Sequence, residues 1–201
     1  AFDDVAIVAN ILVTGMFSSL MDVVFGGKRP IYDNSVESMY VTDVTSKDEA
    51  YANAQTLNIR LAEEGLYVGR QVDGQYLFEE DRPVSRDEFL ALAVAAAELS
   101  PLEDVTITGF FDDQAIPTWA KGSVAAALKA GAIRGCPDES GAPVFQPERT
   151  VTFGEATVML NNLLSISDVP AQVFAPDSGS AHWAGQAAAN LAASGVIRTA
   201  S

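Results

Sequence analysis

The chain is poor in the residues on which most protein chemistry depends. Among its 201 residues there is one cysteine, Cys136, and one histidine, His182. A single cysteine permits neither an intrachain disulfide nor a thiolate metal site, and a single histidine permits no histidine-based one. A Ser-His-Asp or Cys-His arrangement would have to use His182, which lies in a Gly/Ser-rich turn. Basic residues are also scarce: 12 Lys and Arg stand against 27 Asp and Glu, for a formal net charge of −15. No run of cations is present to neutralise phosphates, so nucleic acid is not expected as a partner. An anionic polymer would be repelled at long range, and holding one would take individual arginines in short, bidentate contacts. A Gly-x-x-x-x-Gly-Lys-Ser/Thr phosphate loop is missing, and so is an Asp-x-Asp-x-Asp-Gly calcium loop. The acids are numerous enough for carboxylate-pair hydrolysis, yet no pair is singled out by its context. The expectation is a non-catalytic protein with no metal and no cofactor.

From Val5 to Met21 the chain carries no charge. Asp3 and Asp4 stand where a signal peptide needs basic residues, polar residues interrupt the run, and Asp22 ends it. It reads as a buried core helix and not as a membrane span. A hydrophobic content of 48% supports a sizeable core elsewhere too.

What the chain has in abundance is internal repetition. Ala120, Val124, Ala127 and Leu128 form one face of a helix that stops at Gly131. A Gly/Pro/Asp-rich loop runs from Gly135 to Pro147, and Ala156, Met159, Leu160, Leu163 and Leu164 mark a second helical face. Downstream, Phe174, Trp183, Ala184, Leu191, Gly195 and Arg198 replay Phe111, Trp119, Ala120, Ala127, Gly131 and Arg134, with a Trp-to-Gly interval of twelve residues in both. Upstream, Gly65, Phe78, Arg82, Ser85 and Glu88 match Gly131, Phe145, Arg149, Thr152 and Glu155. The helix-loop-helix unit therefore occurs at about 40–100, again at 109–167, and a third time from 174 to 201 with its first helix only. The opening segment, Ala1 to Val13, aligns with Thr152 to Leu164: Phe2 on Phe153, Asp4 on Glu155, Asn10 on Asn161, Leu12 on Leu163. A helix over about 1–25 is thus expected to supply the second helix that the third unit lacks, making 1–201 one composite domain.

The order of these parts (Phe-x-Asp, Trp-Ala, an Ala-rich helix, Gly-x-Ile-x-Gly, Phe-x-Pro in the loop, then a Thr-Arg-Ala-Glu-like tetrapeptide opening a helix) resembles the S-layer homology domain of bacterial cell-surface proteins. The resemblance covers roughly Tyr40 to Thr199. It implies an all-α, pseudo-three-fold helical bundle, a three-pronged spindle with second helices at its centre. It also implies a location at the bacterial cell surface, outside the cell, and binding of a secondary cell-wall polymer, often a pyruvylated polysaccharide, in grooves between repeats. The competing expectation is a degenerate structural or self-assembly module that makes protein contacts without binding sugar. Ser85-Arg86-Asp87-Glu88 matches the tetrapeptide well, whereas Thr152-Phe153-Gly154-Glu155 lacks the arginine.

Several residues carry two readings. Ser85 with Glu88, and Thr152 with Glu155, have the spacing of a capping box ahead of an apolar run, worth about 1 kcal/mol per helix. A capping box needs no cation at the first helical position, so Arg86 is either the ligand contact implied by the resemblance or half of an ion pair. Arg70, Arg134 and Arg198, near the turn after each first helix, are further candidates for anion contact. Trp119 and Trp183 open first helices; each is a ligand-stacking candidate, though packing between helices is favoured for both. Asp112 and Asp113 are expected to cap the Trp119 helix or face solvent. Val105 and Ile107 suggest a linker lying extended against the bundle.

Overall fold

The computed structural model describes residues 81–170 and 183–196 in full, and the backbone of 70–73 and 75–77. The segment 1–25, the first helix of the first unit, Phe174, His182 and Arg198 lie outside the described residues.

Two short strands, β1 (Arg70–Val72) and β2 (Gln75–Leu77), pair antiparallel with Gln71 opposite Tyr76. Helix α1 (Arg86–Ala96) follows, then a linker, a 3-10 turn at Asp113–Ala115, and α2 (Thr118–Lys129). Strands β3 (Cys136–Pro137) and β4 (Pro143–Val144) form a second antiparallel pair, ahead of α3 (Phe153–Leu164) and α4 (Gly185–Ala193). The core is helical, but the expectation of an all-α chain needs one amendment. The Gly135 to Pro147 loop and its counterpart in the first unit each contain a two-stranded ribbon, placed just before an aromatic residue and the next helix.

Helix α1 is buried on every side from Phe89 to Val94, the pattern of a helix with neighbours all round and not of a surface helix with one apolar stripe. Phe89, Leu90, Val84, Phe145 and Leu160 are fully buried in one continuous cluster that extends to Leu191 and Val196. At roughly 1.5–3 kcal/mol for each large apolar side chain removed from water, this cluster is the main source of stability. Helix α1 packs on α2 and on α3, and α3 packs on α4. A second helix of one unit therefore lies against the first helix of the next.

The helix ends follow from their residues. After α2 the amide of Ala132 donates to the Ala127 carbonyl (2.9 Å) and that of Gly131 to Leu128 (3.1 Å), with Gly131 at φ 73°. After α4 the amide of Val196 donates to Leu191 (2.9 Å) and that of Gly195 to Ala192 (3.1 Å), with Gly195 at φ 77°. The same left-handed glycine cap thus ends both helices, because glycine takes that conformation without a Cβ penalty. Helix α1 makes the same turn without glycine: Glu98 sits at φ 58° while the Leu99 amide reaches the Val94 carbonyl at 3.1 Å.

The linker differs from its expected placement. Leu102 donates its amide to the carbonyl of Gly122 inside α2 (3.1 Å), so backbone fastens this segment down. Ile107 points into solvent instead of lying on the bundle.

Candidate functional site

The starts of α1 and α3 lie side by side. Chain 84–87 runs antiparallel to 147–151: the amide of Val151 donates to the Val84 carbonyl (2.9 Å), Arg86 to Arg149 (2.9 Å) and Asp87 to Pro147 (3.1 Å), with Ser85 bridged to Thr150. The two tetrapeptides thus meet at one junction. Each opens its helix with a capping box. In α3 the Glu155 amide donates to the Thr152 hydroxyl (3.3 Å) and the Thr152 amide to a Glu155 carboxylate oxygen (3.0 Å). In α1 the return bond from the Ser85 amide to Glu88 is longer, 3.4 Å, and the Ser85 hydroxyl donates to Asp87, which also takes the Glu88 amide at 2.8 Å.

Arg86 crosses this junction. Only 3% exposed, it donates from Nε to the Phe145 carbonyl (2.8 Å), sets its guanidinium 5.3 Å from the centre of the Phe145 ring, and pairs with Glu155 at 3.3 Å. Arg86 thus forms the ion pair that one of its two readings expects. Burial pulls the Arg86 pKa down from its usual value while Glu155 pushes it back, and a guanidinium keeps its proton under such conditions. Glu155 is shared: the oxygen that meets Arg86 also meets Arg149. Burial alone would raise the Glu155 pKa, but the Thr152 amide, Arg149 and Arg86 together hold it below the ordinary carboxylate value.

Asp112 fixes the loop from the other side. Its two carboxylate oxygens accept from the amides of Phe145 (2.8 Å) and Gln146 (2.7 Å), so it ties two loops together and caps no helix. Gln146 in turn accepts from Arg149 Nε at 2.8 Å. Asp113 accepts from the Thr108 amide and hydroxyl, both at 2.6 Å, and from Lys121 Nζ at 2.6 Å. The bonds from Lys121 and Thr108 lower its pKa from 3.8 to about 2. A depressed carboxylate stabilises the fold above its unfolded pKa and ceases to do so as pH falls through the folded one. Asp113→Asn should accordingly cost on the order of 1 kcal/mol at pH 7, after discounting for solvent screening. Urea unfolding followed by circular dichroism should show that difference shrinking between pH 4 and pH 2. An equal cost at both ends of that range would remove the charge from the explanation.

Aromatic placement corrects two expectations. Trp119 is 55% exposed and Trp183 58%, so neither indole fills the space between helices. Phe110 is 5% exposed and stacks near Phe145, with ring centres 5.7 Å apart, while Phe111 is 76% exposed. The offset that carries Trp119 onto Trp183 and Gly131 onto Gly195 also carries Phe110 onto Phe174, so the motif phenylalanine is Phe110 and not the expected Phe111.

Of the remaining candidates, Arg134 is exposed just beyond the cap of α2, and Arg70 lies in β1 with its backbone alone described. Sequence reasoning passed over Arg82 and Arg149 as site residues. Each lies six residues before its capping glutamate and reaches it, Arg82 to Glu88 at 3.2 Å and Arg149 to Glu155. The signal was available, since the two arginines align in the repeat.

Residues 110–157 match the S-layer homology domain. The matched span starts at buried Phe110 and ends in α3, so it holds the whole junction except the α1 side. S-layer homology domains are non-catalytic anchoring modules of bacterial surface proteins. The chain is also similar to the exoglucanase XynX of Acetivibrio thermocellus, with 34% identity over 99 residues, 48% of this chain and 9% of the relative. It resembles an amylopullulanase of Thermoanaerobacterium thermosulfurigenes at 34% identity over 87 residues, 42% of this chain and 4% of that protein. Each similarity thus spans less than a tenth of the relative's length. Among the described residues, no group of three His, Cys, Asp or Glu side chains is placed to hold a metal ion, and no helix is long and apolar enough to cross a membrane.

Proposed function

We propose that this chain is a non-catalytic anchoring module that holds a larger exported protein on the bacterial cell surface by binding a secondary cell-wall polysaccharide. The observation that carries the reading is the pair of indoles at one repeat position, both exposed in a chain whose other repeat-fixed apolar residues are mostly buried. An indole face open to solvent at the head of a helix is a platform on which a sugar ring stacks. The match to the S-layer homology domain over 110–157 supports the same function.

Charge recognition falls to the accessible arginines. Arg86 and Arg149 share the single carboxylate of Glu155, so this cluster has one cation more than it has anions and suits an acidic substituent such as a pyruvate ketal. Arg149 is the contact at this site because its side chain is 40% exposed. Arg86 serves it indirectly by fixing the loop. Arg134, Arg70 and Arg198 follow the first helices of successive units and provide equivalent contacts in their grooves. The units form a pseudo-three-fold spindle, with 1–25 as the second helix of the third.

The test is binding to purified sacculi of the producing bacterium, with and without their secondary polymer. Polymer-dependent binding is expected, weakened about tenfold by Trp119→Ala, equivalent to roughly 1.4 kcal/mol, and weakened also by Arg149→Ala. Exposed Ile107 and Phe111 favour the second reading, a module for protein contacts. Retention on neither preparation would overturn anchoring and favour that second reading.

A further inference from the structure

The α3–α4 contact contains a polar knot. Asn190, fully buried, donates from Nδ2 to Asn161 Oδ1 (2.9 Å) and to Asp168 (3.1 Å), and its Oδ1 accepts from the Val169 amide (3.0 Å) and from Gln186 Nε2 (3.0 Å). Gln186 Nε2 also donates to the Val169 carbonyl at 2.7 Å. All four hydrogen-bonding positions of the Asn190 amide are used.

The corresponding positions one unit earlier have the opposite chemistry. Counting from Thr152 back to Ser85 places Val94 at Asn161 and Leu102 at Val169; counting from Trp183 back to Trp119 places Ala126 at Asn190 and Gly122 at Gln186. Val94 and Ala126 are buried. At Gly122 a Cβ would stand 2.6 Å from the Leu102 carbonyl oxygen and 3.2 Å from Pro101 Cβ, so a glutamine has no room there. The linker thus crosses the first helix at the same place in both contacts, held by a backbone bond over glycine in one and by a side-chain amide in the other.

We propose that this difference is an address: it fixes which first helix docks on which second helix. Helix α4 set against α1 would bury the Asn190 amide opposite Val94 without the Asn161 acceptor, and would drive Gln186 into the linker. Helix α2 set against α3 would leave Asn161 and the Val169 carbonyl unpaired. Docking α4 on α1 buries unsatisfied polar groups, and docking α2 on α3 gives up the Asn161 and Val169 bonds at half-buried positions, so each wrong pairing is disfavoured. Repeats of similar helices are prone to exchange between chains. Exchange of α4 for the same helix of another copy keeps every one of these bonds, so what the knot disfavours, among the described helices, is α4 seated on α1 or α2 seated on α3, within a chain or between chains.

The test refolds the full chain from urea as an equimolar mixture of donor-labelled and acceptor-labelled copies and measures energy transfer in the dimer fraction. The variant Asn161→Val/Gln186→Gly/Asn190→Ala gives α3–α4 the chemistry of α1–α2. It should raise the exchanged fraction roughly fivefold over wild type, since it removes the penalty on wrong docking. Folding is checked by circular dichroism. If this variant loses its helicity, Asn161→Ala alone carries the test, because Asp168 still holds Asn190; a rise of about twofold is expected. An exchanged fraction equal to that of wild type in the folded variant overturns the proposal.

Discussion

Arg86→Ala is expected to destabilise the fold by about 3 kcal/mol, the lower end of the range for removing one partner of a buried ion pair. The low end applies because Glu155 keeps two partners, Arg149 and the Thr152 amide. What it loses is concentrated elsewhere: the Phe145 carbonyl forfeits its guanidinium donor, and the ring of Phe145 loses the cation set over it. Arg86→Met restores volume without the bonds and should fall between alanine and wild type. Urea unfolding by circular dichroism measures all three. A cost for alanine below about 1 kcal/mol would mean that the junction between the two tetrapeptides is held by its backbone pairing alone.

Gly122→Ala is expected to go against helix propensity. In an exposed helix interior this change stabilises by roughly 0.5–1 kcal/mol, because alanine loses less entropy than glycine. Here the added methyl would meet the carbonyl oxygen of Leu102, which is backbone and cannot rotate away. Relief requires lifting the linker off α2, which breaks the bond from the Leu102 amide to the Gly122 carbonyl. The net cost should be about 2 kcal/mol, a strain of 1–3 kcal/mol and a lost hydrogen bond set against the propensity gain. A thermal midpoint equal to or above that of wild type would show that the linker is not seated as described. Ala125→Gly, on the same helix, provides the control with the ordinary sign.

Much of the local structure was legible in the sequence because it is local. Ser85 to Glu88 and Thr152 to Glu155 carry the spacing of the caps they form, and Gly131 and Gly195 stop helices at the positions where they occur. The helical faces follow from apolar periodicity. Long-range placement was legible only in part. Trp119 looks like a core residue by type, and nothing within its own helix reveals that its face is left open. Arg86 pairs with Glu155 because two tetrapeptides distant in sequence lie antiparallel, which spacing within either one cannot show. Asp112 has the residue type and position of a helix cap, yet its carboxylate is taken by loop amides 33 and 34 residues away. The choice between Phe110 and Phe111 has a different basis: adjacent identical residues satisfy the same local pattern, and only the fixed offset of the tryptophans and glycines separates them.

The unit that repeats in the sequence is out of phase with the unit that packs. A sequence unit runs from a first helix to its own second helix, but α1 leans on α2 and α3 on α4, across the boundaries. Gain or loss of chain in whole units, starting at any point in the cycle, leaves each second helix with a first helix to rest on. A change of half a unit strands one helix with its apolar face in water. Lineages of such chains would then vary in length by whole periods while the phase of their ends stays fixed.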